Sequence, residues 1–82
     1  MIEVLYFAWI RERIGERSEQ ISTNAPTVAA LVEELKTRSE AHALAFSDMA
    51  SVRVAIDQEL TEMDAPLAGA REVAFFPPMT GG

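Results

Sequence analysis

At 82 residues, the chain is sized for one domain folding on a single core, and without cysteine it has no disulfide framework and no thiolate chemistry. Thirteen acidic residues against seven basic ones give a formal charge of −6, and the basic residues are scattered rather than gathered in a stripe, so nucleic acid is not an expected partner. If the acidity serves docking rather than solubility, the partner should be basic.

The opening run MIEVLYFAWI is interrupted by Glu3, follows no basic stretch and is too short to span a bilayer, so a soluble cytoplasmic protein is expected, with no membrane association. Residues 2 to 10 are apolar on both alternating sets, with Ile2, Val4, Tyr6 and Ala8 on one side and Leu5, Phe7 and Trp9 on the other. That pattern predicts a strand covered on part of both faces and central in its sheet. RERIGER supplies a turn at Gly15, and SEQIST reads as a second, more polar strand whose main inward residue is Ile21.

Thr27 is a good helix N-cap. Val28, Leu31, Val32 and Leu35 follow at i, i+3, i+4 and i+7, the spacing of one helical face, with Glu33, Glu34, Lys36 and Arg38 on the outer side. Residues 40 to 50 allow a further helical turn, with irregular apolar spacing. SVRVAID alternates Val52, Val54 and Ile56 as a half-buried strand, QELTE is its short hairpin partner around Leu60, and DAPLAGAREVAFF turns into a last strand. Pro77 and Pro78 end that strand because neither can donate to a ladder. A helix connecting strands on one face of a mixed sheet, with the last strand beside the first, is an α+β fold of the β-grasp type. The expected organisation is a single domain over residues 1–82, with a flexible tail at 77–82.

Side-chain catalysis is hard to assemble from these residues. His42 is the only histidine, no spacing of His, Asp and Glu resembles a metal site, and the Ser and Thr residues have no evident base beside them. The single glycine of RERIGER cannot build a phosphate cradle.

The segment EVAFFPPMTGG offers a different chemistry. Neighbouring residues of a strand point to opposite faces, so if Val73 and Phe75 face the helix, Ala74 and Phe76 face outward. Glu3 marks the outer face of the first strand and places Phe7 there too. Phe7, Phe76 and Leu60 then form an apolar patch of the kind that marks a protein interface. Pro77 and Pro78 favour an extended, semi-rigid spacer, and the six residues to Gly82 could reach about 20 Å. Gly81 and Gly82 would pass down a narrow channel, delivering a main-chain carboxylate that is ionised at neutral pH and must be activated elsewhere.

On VLYFAWIRERIGE, TVAALVEEL and above all REVAFFPPMTGG, the whole chain resembles the β-grasp sulfur carriers that share ancestry with ubiquitin, most closely the small subunits of molybdopterin synthase. The resemblance implies a non-catalytic, sulfur-donating subunit whose Gly82 carboxylate is adenylated and converted to a thiocarboxylate. Pro77, Pro78, Met79, Thr80 and Gly81 would insert into the large subunit, where sulfur passes to a cyclic pterin phosphate in molybdenum cofactor biosynthesis. It also implies a heterotetramer with the large subunit, an adenylating enzyme and a sulfurtransferase as partners, and ATP, zinc and pterin sites on those partners, with no cofactor bound by this chain. The alternatives are a thiamine-pathway sulfur carrier, usually shorter and without the Phe-Phe-Pro-Pro run, a ubiquitin-like modifier forming isopeptide bonds, and an interaction module with an inert tail.

Overall fold

The computed structural model describes residues 1–78. In chain order these form β1 (Ile2–Tyr6), α1 (Ala8–Ile14), β2 (Ser18–Ile21), α2 (Val28–Lys36), α3 (Glu40–Ala45), a 3-10 turn at Met49–Ser51, β3 (Arg53–Ile56), β4 (Glu59–Thr61) and β5 (Glu72–Phe76). The strands make one sheet in the order β2-β1-β5-β3-β4. β1 and β5 run parallel, and the other three pairings are antiparallel. This is the mixed-sheet α+β architecture expected from the pattern, with α2 as the main helix and two shorter ones beside it.

Three details depart from the sequence expectation. The first strand stops at Tyr6 rather than residue 10, because the chain turns at Phe7 and Ala8 into the unforeseen helix α1. Ile10 and Ile14, one turn apart, bury one side of α1, and Gly15 closes it in the left-handed conformation (φ 88°) with its N–H on the Arg11 carbonyl at 2.8 Å. Ala8, expected inward on a strand, is instead exposed and takes φ 53°, a strained value for a residue with a Cβ. Trp9 moves from the strand's outer face to a half-buried position on α1 against the core. The second departure is that β2 ends at Ile21, short of residue 23. The third is that β1 is interior, between β2 and β5, but the middle strand of the five is β5.

The helix signals of α2 operate as written in the sequence. The Thr27 hydroxyl accepts from the Ala30 N–H at 3.2 Å, and Val28, Leu31, Val32 and Leu35 are all buried. Facing them across the core are Ile2, Val4 and Tyr6 from β1, Val54 from β3, and Val73 and Phe75 from β5. Tyr6, Phe46 and Phe75 stack as an aromatic group, with Phe46 and Phe75 edge to face at a centroid distance of 5.0 Å. Residues 40 to 50 resolve into α3, capped by Ser39, and the 3-10 turn, capped by Asp48. The hairpin from β3 to β4 turns through Asp57 (φ 49°) and Gln58 (φ 72°), the positive angles a two-residue turn needs to match the strand twist. Asp57 Oδ1 also accepts from the N–H groups of Arg71 and Glu72, tying that turn to the start of β5.

Candidate functional site

With all the helices packed on the face that carries Val4, Val73 and Phe75, the alternation of the strands sends the intervening residues to the opposite, open face. The pairing registers fix their rows. Leu5 of β1 lies beside Ala74 of β5, Ala74 beside Ala55 of β3, and Ala55 beside Leu60 of β4. The two alanines stand outside the core cluster and make a low floor between two leucines. Leu60 is 73% exposed.

The next row lies at the end of the sheet where β5 runs out. Phe76 pairs in register with Arg53, and the Phe7 N–H donates to the Phe75 carbonyl at 3.1 Å, which draws Phe7 alongside β5. Phe7 caps α1 in an extended conformation (φ −123°, ψ 154°) and so keeps the outward direction of its strand after the strand has ended; its side chain is 47% exposed. Phe76 is half-buried and Phe75 wholly buried, as the one-residue alternation requires. Of the proposed patch, Phe7 and Phe76 therefore stand together at the root of the tail, and Leu60 is carried in from the far edge by the row of alanines. Pro77 and Pro78 continue from Phe76 outside any strand and are half-buried. Met79, Thr80, Gly81 and Gly82 lie outside the described residues.

Two members of this face, Leu5 and Arg53, were left out of the expected patch. The signal for both was present, since Leu5 shares the parity of Glu3 and Phe7, and Arg53 that of Ala55 in the β3 alternation. Arg53 is exposed and its Nη1 donates to the carbonyls of Ala50 and Val52, each at 3.1 Å. Away from the tail, the face turns acidic: Glu3 and Glu72 are direct parallel neighbours on it.

Among the described residues, the one buried polar cluster belongs to the core side and is fully bonded. His42 is 6% exposed. Its Nε2 lies 2.7 Å from Glu19 Oε2 and its Nδ1 2.7 Å from the Ser39 hydroxyl. The Tyr6 hydroxyl donates to the same Glu19 oxygen at 2.7 Å, and Arg38 Nη2 reaches Oε1 at 3.3 Å. Burial acts to raise the Glu19 carboxyl, but the hydrogen bonds from His42 and Tyr6, with the charge of Arg38 close by, outweigh it and hold the group below the ordinary value of 4.5. Tyr6 is pushed far above the usual phenol range, by burial first and then by its bond to Glu19. A phenol locked in its neutral form, a carboxylate with its acceptors occupied and an imidazole with both nitrogens engaged make a tie between β1, β2 and α3. His42 is thus structural, and no group of three or more potential ligands gathers for a metal among the described residues.

The described residues thus present an open apolar sheet face from whose end Pro77 and Pro78 depart, and known proteins share this fold. Residues 4–82 match the model of the ThiS family. The chain belongs to that family. It is 43% identical over 82 residues to the molybdopterin synthase sulfur carrier subunit of Escherichia coli and 38% identical to that of Haemophilus influenzae, covering all of each. A counterpart from Mycosarcoma maydis is 34% identical over 87 residues, with 99% of this chain and 92% of the relative aligned. Among solved structures, a Pyrococcus furiosus protein provisionally described as subunit 1 of a molybdopterin converting factor superposes with a TM-score of 0.74 at 28% identity, over 95% of this chain and 97% of that one. SAMP1 of Haloferax volcanii superposes equally well, TM-score 0.74, at 24% identity over 99% of this chain and 98% of its own, a likeness of fold.

Proposed function

We propose that this chain is the sulfur-carrier small subunit of a molybdopterin synthase. The observation that carries the reading is full-length identity to named carrier subunits, joined to an open apolar face from whose edge the Pro77-Pro78 tail departs. In this reading an activating enzyme transfers AMP from ATP to the Gly82 carboxylate, releasing pyrophosphate. The persulfide of a sulfurtransferase then displaces AMP to give an acyl disulfide, and a thiol cleaves that disulfide by exchange to leave a thiocarboxylate. Phe7, Phe76 and Leu60 bind the large subunit, and Pro77, Pro78, Met79, Thr80 and Gly81 lead the thiocarboxylate to a cyclic pterin phosphate held there. Transfer of sulfur, with water supplying the replacing oxygen, returns the carboxylate for another round. The chain itself holds no ATP, metal or pterin; two small subunits on a dimeric large subunit make the heterotetramer.

The test is intact-mass analysis after incubation with ATP, the activating enzyme and a sulfur donor. Replacement of one oxygen by sulfur, followed by loss of that sulfur only when large subunit and cyclic pterin phosphate are added, is expected. Sulfur released instead to a thiazole precursor would assign the chain to thiamine synthesis, protein conjugates would make it a modifier, and an unchanged mass would leave an interaction module.

A further inference from the structure

Among the residues at the root of the tail, Arg53 is the one whose charge is held in place by the backbone. Its Nη1 is committed to the carbonyls of Ala50 and Val52, at the end of the 3-10 turn and the entry to β3. The Nε–H and Nη2–H make no hydrogen bond among the described residues, and no described carboxylate lies within ion-pair distance of the guanidinium. Glu62, which follows Thr61 on the neighbouring segment and lines the same surface groove of about 650 Å³, leaves it unpaired. The Nε and Nη2 hydrogens form a planar fork that matches a carboxylate in two parallel bonds. Because the other nitrogen is already anchored, less side-chain freedom remains to be lost when that fork is filled.

The position of this fork matters as much as its chemistry. Arg53 is the in-register neighbour of Phe76, the last strand residue before Pro77. Across the same face, the end remote from the tail carries Glu3 and Glu72 side by side. The open face is therefore polar along its length, positive beside the tail and negative away from it, with the apolar row of Leu5, Ala74, Ala55 and Leu60 between. A partner that docks on the apolar row in the reversed direction would bring like charges together, which disfavours that orientation.

Building on the reading above, we infer that Arg53 is a specificity-determining residue of the carrier. It receives a carboxylate side chain of the large subunit on its Nε/Nη2 edge and so sets the direction in which the open face docks and the tail enters. Arg11 and Arg17, on the other side of Phe7, have no side-chain hydrogen bond among the described residues and lack this anchoring.

The experiment measures association and dissociation of the full chain with the large subunit as ionic strength is varied, for the natural protein and for Arg53→Ala, Arg53→Glu and Arg53→Lys. Thermal unfolding of each variant verifies that the sheet is intact. Arg53→Ala should slow association at low salt by about 3- to 10-fold and flatten its salt dependence, and Arg53→Glu should slow it further. Arg53→Lys should keep the association rate but dissociate faster, because an ammonium cannot serve both the backbone carbonyls and a bidentate carboxylate. Association of Arg53→Ala and Arg53→Glu within about twofold of the natural chain at low salt, with the natural salt slope, overturns the role of Arg53. Failure of the natural chain to bind any large subunit would instead remove the carrier reading, and this inference with it.

Discussion

The two faces of the sheet are built from the same five strands, often from adjacent residues, yet they do opposite work. On the covered face, Val4, Tyr6, Val54, Val73 and Phe75 close against α2 in an interior where, among the described residues, no buried side-chain polar atom is left unbonded. On the open face, Leu5, Ala74, Ala55, Leu60, Phe7 and Phe76 form an apolar surface that no helix covers. The buried members of that face are the small Ala55 and Ala74, lying low between larger neighbours. The difference teaches that hydrophobicity alone does not tell the core from the open face. Phe75 and Phe76 have identical side chains, and only the parity of the strand sends one into the core and the other to the open face.

That contrast can be broken most directly at Phe75. Phe75→Ala should destabilise the fold by about 3 to 5 kcal/mol, since the cavity would open in the middle of the aromatic stack, and thermal unfolding measures it. If Phe75→Ala left stability unchanged, the assignment of the two faces would be reversed. Deletion of Gly82 separates presentation from both faces. It should leave unfolding unaltered and reduce sulfur transfer by roughly 100-fold or more, because displacement of a reacting group by about 1 Å has that effect in a positioned reaction; single-turnover transfer with the large subunit is the assay. Phe76→Ala should weaken binding of the large subunit about tenfold or more, the loss of roughly 1.5 to 3 kcal/mol of ring burial at 1.4 kcal/mol per decade. Its melting temperature should move little, which titration calorimetry and thermal unfolding together would establish.

The smallest effect belongs to the covered side alone. Glu19→Gln replaces a carboxylate that accepts from Tyr6 and His42, and should cost about 1 to 2 kcal/mol near neutral pH. The folded Glu19 carboxyl sits below its ordinary value of 4.5, so its contribution is complete above that value and is lost as pH falls through the lower, folded one. Unfolding of the natural chain followed below pH 4.5 should therefore lose stability more steeply than that of Glu19→Gln. Equal slopes would show that the tie between β1, β2 and α3 carries no acid sensitivity.

Much of this was legible in the sequence where neighbours along the chain carry the signal. The Thr27 cap with its four spaced apolar residues predicted α2. The alternation of the last strand, with Val73 and Phe75 taken to face the helix, predicted the outward turn of Phe76. Helix α1 was missed because an alternating run and a helical one meet without a polar break: Ile2, Val4 and Tyr6 have period two, Ile10 and Ile14 have the spacing of one helical turn, and Phe7 to Trp9 satisfy both. The cap at Gly15 was the available clue. The role of His42 could not be read locally, because its partner Glu19 lies on another element 23 positions away and only the packing of α3 on the sheet brings them to 2.7 Å. The anchoring of Arg53 likewise depends on the 3-10 turn, whose irregular apolar spacing left no periodicity to follow.

The place of β5 in the middle of the sheet has a consequence for the order in which the molecule can be assembled. Without residues 72–76, β1 and β2 form one ribbon and β3 and β4 another, and no backbone ladder joins them. Isolated two-stranded ribbons are marginal in water, and each would show unpaired edges. Pairing of Glu3 with Glu72 spans nearly the whole chain, a contact that costs loop-closure entropy before it returns any stability and that slows folding. The same strand that closes the sheet leads directly into Pro77. A partner docking on the open face, as proposed above, would therefore meet Pro77 only on molecules whose sheet has closed, since a chain without β5 in place has neither the continuous face nor a strand to hold Pro77 at its end.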